Sequence, residues 1–322
     1  MDYVKSAVKK MKSKRKLLTV LLIIICFLFV GCEQKNNRDN SKYSIISTNF
    51  PGYDFARAIV GEESDFNIRM LVKPGSEVHH FEPTPQDIID IQNSDLFIYV
   101  GGESDSWVDD ILNDIDISRV KIVKLMDLVD VLQEEKVDGM QIEDNDLEDD
   151  EHIWTSPKNA ISIVDKLEDF IIEIDKFNKK KYEENTKNYI SKLNDLDLQI
   201  KEVVNTSKRK EIIVGDRFPL RYFTELYGIK YYAAFPGCSD QTEASAKTIA
   251  FLIDKVKKDN IPVIFTIELS SGKIAQTIAK ETGAKVLLFH SAHNVSYKDF
   301  SNNITYLDIM KNNLSNLKEA LN

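Results

Sequence analysis

Histidine is scarce in this chain, with five among 322 residues, and cysteine is scarcer, with three. No His-Glu-x-x-His stretch or similar signature occurs, which removes the usual motif of a zinc hydrolase. No apolar run reaches the ~20 residues needed to span a bilayer as a helix; the run from Leu17 to Val30 has fourteen. Basic residues are in deficit, 42 against 52 acidic, for a net charge of −10. Such a chain repels phosphate, so nucleic acid is excluded as a partner. What remains is a globular composition, 43% hydrophobic and 29% charged, long enough for two domains.

The N-terminus stands apart. A basic stretch from Lys5 to Lys16 precedes the apolar run, and Gly31 and Cys32 follow. Basic, then apolar, then small residues is the order of a secretory signal. A Cys directly after Gly at the end of such a segment resembles a bacterial lipobox, with Phe29 where such motifs most often carry Leu. The resemblance implies a signal peptide over residues 1–31, cleavage before Cys32, and a lipid on its thiol; the alternative is an uncleaved membrane anchor. Either way the body lies outside the cytoplasm, on the outer face of the membrane. Removing residues 1–31 takes away seven basic residues and one acidic one, leaving 35 against 51, a net of −16. With Cys26 lost and Cys32 lipidated, Cys238 has no partner for an intrachain disulfide. Residues 32–42 form a polar tether.

From Tyr43 the pattern alternates. Apolar runs such as YSIIST, FNIRMLV, DLFIYVG and VKIVKL predict strands, and the segments between them predict helices. That alternation predicts a mostly parallel sheet covered on both faces. Residues 133–151 are dense in acids and predict a surface loop. Ser156-Pro157 opens a helix. A long helix is expected over roughly 176–206, where Tyr182, Tyr189, Leu193, Leu196, Ile200 and Val203 share one face. It would be about 45 Å long. The strand–helix alternation then resumes to the C-terminus. The expected fold is α/β, with two Rossmann-like lobes, 43–175 and 208–322, joined by a rigid helix at 176–207.

The histidines fall in three places. His79 and His80 follow the strand FNIRMLV, His152 follows the acidic stretch, and His290 and His293 follow the strand KVLLF. Ligands of open α/β sheets bind at the carboxyl ends of strands, so these positions suggest one site.

"LVKPGSEVHHFEPTPQD", "DEHIWTSPKNA" and the two-lobed pattern resemble the zinc and manganese solute-binding lipoproteins of bacterial ABC transporters. The resemblance runs from Tyr43 to Leu321. It implies a metal site between the lobes, a membrane permease as partner and a monomer. Carried over residue by residue, the ligands fall on His79, with His80 as its neighbour, on His152, and on His290 in place of the commoner carboxylate. His293 could replace or assist His290. The remaining ligand belongs near "IIVGDRFPLRYF", where Asp216 is the only carboxylate; its alternative role is to cap the following helix, leaving water or His293 to complete the shell. Glu243 and Glu268 match recurrent acidic positions and are expected to orient the ligands.

Three imidazoles and one carboxylate suit tetrahedral Zn²⁺. Mn²⁺, the alternative cargo, favours more oxygen donors. The acidic stretch before His152 is either a solvated loop or a collector of cations near the cleft. A zinc hydrolase is the rival from another class, with Glu268 cast as base. A surface adhesin is a further possibility within the family, without direct support in the residues.

Overall fold

The computed structural model describes residues 42–62, 64–79, 81–141, 148–239 and 243–322. The signal segment 1–31, the lipidation candidate Cys32, the tether up to residue 41, and His80 lie outside the described residues.

The first lobe runs β1 (Tyr43–Ser47), α1 (Phe50–Val60), β2 (Phe66–Met70), α2 (Pro85–Gln92), β3 (Leu96–Tyr99), α3 (Trp107–Asp114) and β4 (Lys121–Lys124). Two helices then cross, α4 (Pro157–Ile174) and α5 (Lys179–Thr206). The second lobe runs β5 (Glu211–Arg217), α6 (Arg221–Tyr227), β6 (Lys230–Phe235), α7 (Ala246–Asp259), β7 (Val263–Thr266), α8 (Lys273–Thr282), β8 (Lys285–Leu288), α9 (Tyr297–Ser301) and α10 (Tyr306–Leu321).

Each lobe has one four-stranded sheet, ordered β2-β1-β3-β4 and β6-β5-β7-β8, with all pairs parallel. The two orders are the same topology repeated. Each sheet reverses direction beside its first strand, between β1 and β3 and between β5 and β7. Loops leaving the carboxyl ends at such a reversal diverge and open a crevice. That crevice is where the histidines gather.

Local signals in the chain set the helix ends. Asn49 accepts from the Gly52 N–H to start α1. Ser156 accepts from Asn159 and Pro157 occupies the first turn of α4. Reciprocal capping boxes, Thr84 with Asp87 and Thr305 with Asp308, open α2 and α10. Gly283 closes α8 at φ 77.

The long helix forms as the periodicity predicts, over 28 residues. Tyr182, Tyr189, Leu193, Leu196 and Ile200 are buried, and the last buried apolar position is Val204 rather than Val203. A step of four from Ile200 keeps that residue on the buried stripe. These side chains belong to one core that also holds Phe55 and Ile98 of the first lobe and Phe223 and Phe265 of the second. The lobes are therefore packed through a shared apolar interior.

The acidic stretch departs from a simple surface loop. Gln133 bridges Asp149, Glu134 accepts from the Cys238 N–H at 2.9 Å, and the Gln141 N–H donates to the Ala234 carbonyl at 2.9 Å. Its described residues are docked on the second lobe, because their backbone finds partners at the β6 edge. Residues 142–147 lie outside the description.

Candidate metal centre

Three of the donor groups come from the first lobe. After β3 the chain turns tightly at Gly101-Gly102. Buried Asp105 holds that turn, accepting from the N–H groups of Val100 (2.5 Å) and Gly101 (3.4 Å) and from the Thr48 hydroxyl (3.1 Å). Burial pushes the Asp105 carboxyl up to about 7. The turn presents Ser104, whose backbone N–H donates to Glu151 Oε2 at 3.0 Å and whose hydroxyl donates to Oε1. A Cβ at residue 102 would lie 2.3 Å from Glu151 Cβ, so only glycine lets that carboxylate in. Glu151 is wholly buried.

Glu151 and His152 are neighbours in sequence yet both reach the site. The Ile153 N–H donates to the Glu151 carbonyl at 2.8 Å, and His152 has φ −81 and ψ 42. This is a tight three-residue turn about His152, which undoes the usual divergence of adjacent side chains. Asp150 Oδ1 accepts from the His152 backbone N–H at 2.8 Å and lies 3.1 Å from its Nδ1. Nδ1 is thereby taken, leaving Nε2 for a metal. His79, at the end of the loop after β2, has Nδ1 3.1 Å from the Ser104 hydroxyl and 3.8 Å from Glu151 Oε1.

The second lobe supplies His293. The loop after β8 is set by Glu268, whose carboxylate accepts from the N–H of Ser291 (2.7 Å), the N–H of His293 (3.2 Å) and the Ser291 hydroxyl. Ala292 takes a left-handed conformation, φ 64, and its N–H donates to His290 Nδ1 at 2.9 Å. This swings His293 inward, where Nε2 lies 3.7 Å from Glu151 Oε1 and the ring stands 4.9 Å from that of Trp154.

His79, Glu151, His152 and His293 thus bring one donor atom each within 4.8 Å of one another. A closed tetrahedral zinc site has its donors about 3.3 Å apart, from Zn–N bonds of about 2.0 Å, so side-chain rotations of under about 1 Å each would close it. The cavity lined by His79, His152 and His293 has a free volume of about 30 Å³, room for an ion or a water and not for an organic substrate. Burial holds the His293 imidazole well below its ordinary value, with His152, His79 and Arg217 adding to the effect. Burial also pulls His152 down, but Asp150, with Glu151 and Glu134, outweighs it and the net shift is upward.

The structure distributes the expected ligands unevenly. His79 and His152 are in the cluster. His290 is not, because its Nδ1 serves the Ala292 turn and its backbone is held by Asn313 at 2.9 and 2.7 Å. His293, expected to replace or assist it, is in the cluster. Asp216 is also outside, accepting from the hydroxyls of Thr266 (3.2 Å) and Ser270 and from the Arg217 N–H. The physical reason is a bulge in β5, where one extra residue between Val214 and Arg217 re-aims the side chains. Gly215 within it lies 2.6 Å, measured from an added Cβ, from the α8 backbone. Asp216 does not cap α6; burial raises its carboxyl. Glu268 holds the His293 loop and also lines the cavity. Glu243 is exposed ahead of α7 and does not line the cavity. Sequence reasoning missed Glu151, Asp150 and Ser104. The signal available was the acidic pair immediately before His152.

Known proteins resemble this chain along most of its length. Residues 45–320 match the family described as zinc-uptake complex component A, periplasmic (ZnuA). The chain is 31% identical over 312 residues to the high-affinity zinc uptake system protein ZnuA of Bacillus subtilis, covering 94% of this chain and 97% of that protein. It is 31% identical over 310 residues to the zinc-binding lipoprotein AdcA of Streptococcus pneumoniae, of which it spans 61%. Among solved structures, the metal-dependent lipoprotein YcdH of Bacillus subtilis superposes with a TM-score of 0.74 at 31% identity, over 87% of this chain and all of that one. The Zn(II)-bound ZnuA-like domain of Streptococcus pneumoniae AdcA gives 0.72 at 29% identity, over 87% and 99%. With the family model spanning nearly all of both lobes and the long helix, the chain belongs to the ZnuA family of zinc-uptake components.

Proposed function

We propose that the protein captures one Zn²⁺ between its lobes, outside the cytoplasm, and delivers it to the permease of an ABC transporter. The observation that carries this reading is the buried cluster of His79, Glu151, His152 and His293. Three imidazoles and one carboxylate form the compact donor set that tetrahedral zinc favours. Manganese asks for more oxygen ligands and a higher coordination number, and the cavity offers one carboxylate within the cluster. The relatives named for zinc uptake and zinc binding support the same cargo.

The chain's residues have separable tasks. Asp150 orients His152 and fixes its tautomer, Ser104 orients Glu151, and Glu268 holds the loop that presents His293. Glu151 offsets part of the cation's charge in a site without bulk water. Release to the permease then requires the His293 loop and the first-lobe ligands to part. A hydrolase would need a coordination position open to water and room for its substrate; four converging donors around so small a space favour binding and transfer over catalysis.

Attachment to the outer face of the membrane through a lipid on Cys32, after loss of residues 1–31, rests on the motif alone and belongs to the proposal. So does a monomeric state. The reading is tested by calorimetric titration of metal-free residues 33–322 with Zn²⁺ and with Mn²⁺. One tight zinc site and weaker manganese binding are expected. No tight binding of either ion would overturn the reading.

A further inference from the structure

The mouth of the metal cavity is crossed by an ion pair that coordination does not use. Arg217 Nη2 lies 2.9 Å from Glu77 Oε2, and Nη1 lies 3.5 Å from the Ser239 carbonyl. Glu77 stands in the first lobe, two residues before His79. Arg217 is the last residue of β5 in the second. Both line the same cavity as His79, His152 and His293. Their side chains retain 39% and 17% of their exposure, which places the pair where the cavity meets solvent. The β5 bulge that turns Asp216 towards Ser270 leaves Arg217 facing the cleft.

A guanidinium beside a cation site is costly by itself. Its charge contributes to holding the His293 imidazole down, and a metal ion would feel the same repulsion. The partner Glu77 neutralises it and, in doing so, ties one lobe to the other. The loop that carries Glu77 is also tied to the second lobe by uncharged bonds. The Gly75 N–H donates to the Val295 carbonyl at 2.7 Å, and the Asn294 amide donates to the carbonyls of Lys73 and Ser76 at 2.9 and 2.8 Å. Beside these uncharged bonds, the Glu77–Arg217 pair is the charged contact at the cavity mouth.

We infer that Glu77 and Arg217 form a latch that holds the cleft closed over bound zinc and sets how slowly the ion leaves. The inference rests on the proposed metal site. Neither residue donates to the ion. The pair must break before the mouth widens, so its contribution appears in the release rate.

The test is stopped-flow release of Zn²⁺ from the loaded chain into excess chelator. Glu77→Gln, Arg217→Gln, the double variant and the charge swap Glu77→Arg/Arg217→Glu are compared with wild type. A partly exposed ion pair sets the scale. Each single variant is expected to release zinc about three- to tenfold faster. The double should be no faster than either single, and the swap should recover slow release. Raising the salt concentration should speed wild-type release and leave the variants nearly unmoved. Opposite shifts in the two singles that add in the double would overturn the latch, since the residues would then act as separate charges. Unchanged release in all variants would overturn it too, while wild-type zinc binding would still stand. Failure of the wild type to bind zinc would instead overturn the parent reading.

Discussion

At the residue scale the site depends on which atom of each ligand is already occupied. His152 Nδ1 faces Asp150, Glu151 takes two bonds from Ser104, and His290 Nδ1 is committed to the Ala292 turn. This last contact gives His290 a structural task within reach of the metal. His290→Ala should loosen the turn and weaken zinc binding. His290→Asn, whose side-chain oxygen can accept from an N–H two residues on, should restore most of it. A direct ligand would not be rescued this way, so calorimetry on the two variants separates the roles. Gly102→Ala should displace the Glu151 carboxylate and lower zinc affinity at least about tenfold, the scale of a disturbed outer-shell partner, with the fold retained by circular dichroism.

The titration of His152 adds a pH dependence. Its folded pKa lies above the ordinary 6.5, through Asp150. A raised value means the apo protein gains stability below 6.5 from the charged pair and loses it as pH rises through the folded value. Zinc needs Nε2 free of its proton, so the metal competes with that proton. Zinc affinity should therefore fall as pH drops through the raised pKa of His152. Binding there should release a proton, while His293, already neutral, releases none. Titration in buffers of different ionisation enthalpy counts the protons; no proton release at pH 6 would contradict the assignment of His152.

At the element scale the loops do more than the strands. The strands, the caps and the long helix were legible because periodicity and punctuation residues act locally. Tyr189, Leu193, Leu196 and Ile200 keep the helical stripe whatever surrounds them. His79 and His152 were legible because each stands at a loop whose neighbours are distinctive. Glu151 was not, and His293 was legible only as a stand-in for His290 or a helper to it. Two residues separate His290 from His293, and which of them joins the cluster is set by a left-handed Ala292 and by Glu268, a residue more than twenty positions away. Glu151 enters only because of the tight turn at His152 and the space left by Gly102. Asp216 lies outside the cluster because of a bulge, which a count along the chain does not reveal.

The C-terminal helix is tied in by charge as well as by packing. Asp54 of α1 accepts from the Tyr306 N–H at 2.8 Å and from Arg57, which also reaches the Ile304 carbonyl at 2.7 Å. Asp54 is buried. Asp54→Ala leaves an N–H and part of a guanidinium without their acceptor, at a cost of about 1–3 kcal/mol. The urea midpoint should fall accordingly, with zinc affinity little changed.

At the scale of the whole molecule, the lobes share one core along α5 and are stitched at the cleft. Trp154 Nε1 donates to the Ser291 carbonyl at 2.7 Å, and the Tyr306 hydroxyl donates to the Trp154 carbonyl at 2.7 Å. The docked stretch around Glu134 adds contacts on the β6 side. Metal binding therefore calls for local closure of side chains and loops, not a wide hinge. The radius of gyration in solution scattering should change by less than about 1 Å, against the larger closures of freely hinged binding proteins. A change of several ångströms would show that the shared core does not restrain the lobes.

The central claim is the identity of the four donors. The most direct measurement is calorimetric zinc titration of two variants side by side, His293→Ala and Asp216→Ala. The account predicts that His293→Ala loses zinc affinity by about 100-fold or more, while Asp216→Ala binds within a few-fold of wild type. The reverse result, with Asp216 essential and His293 dispensable, would contradict it.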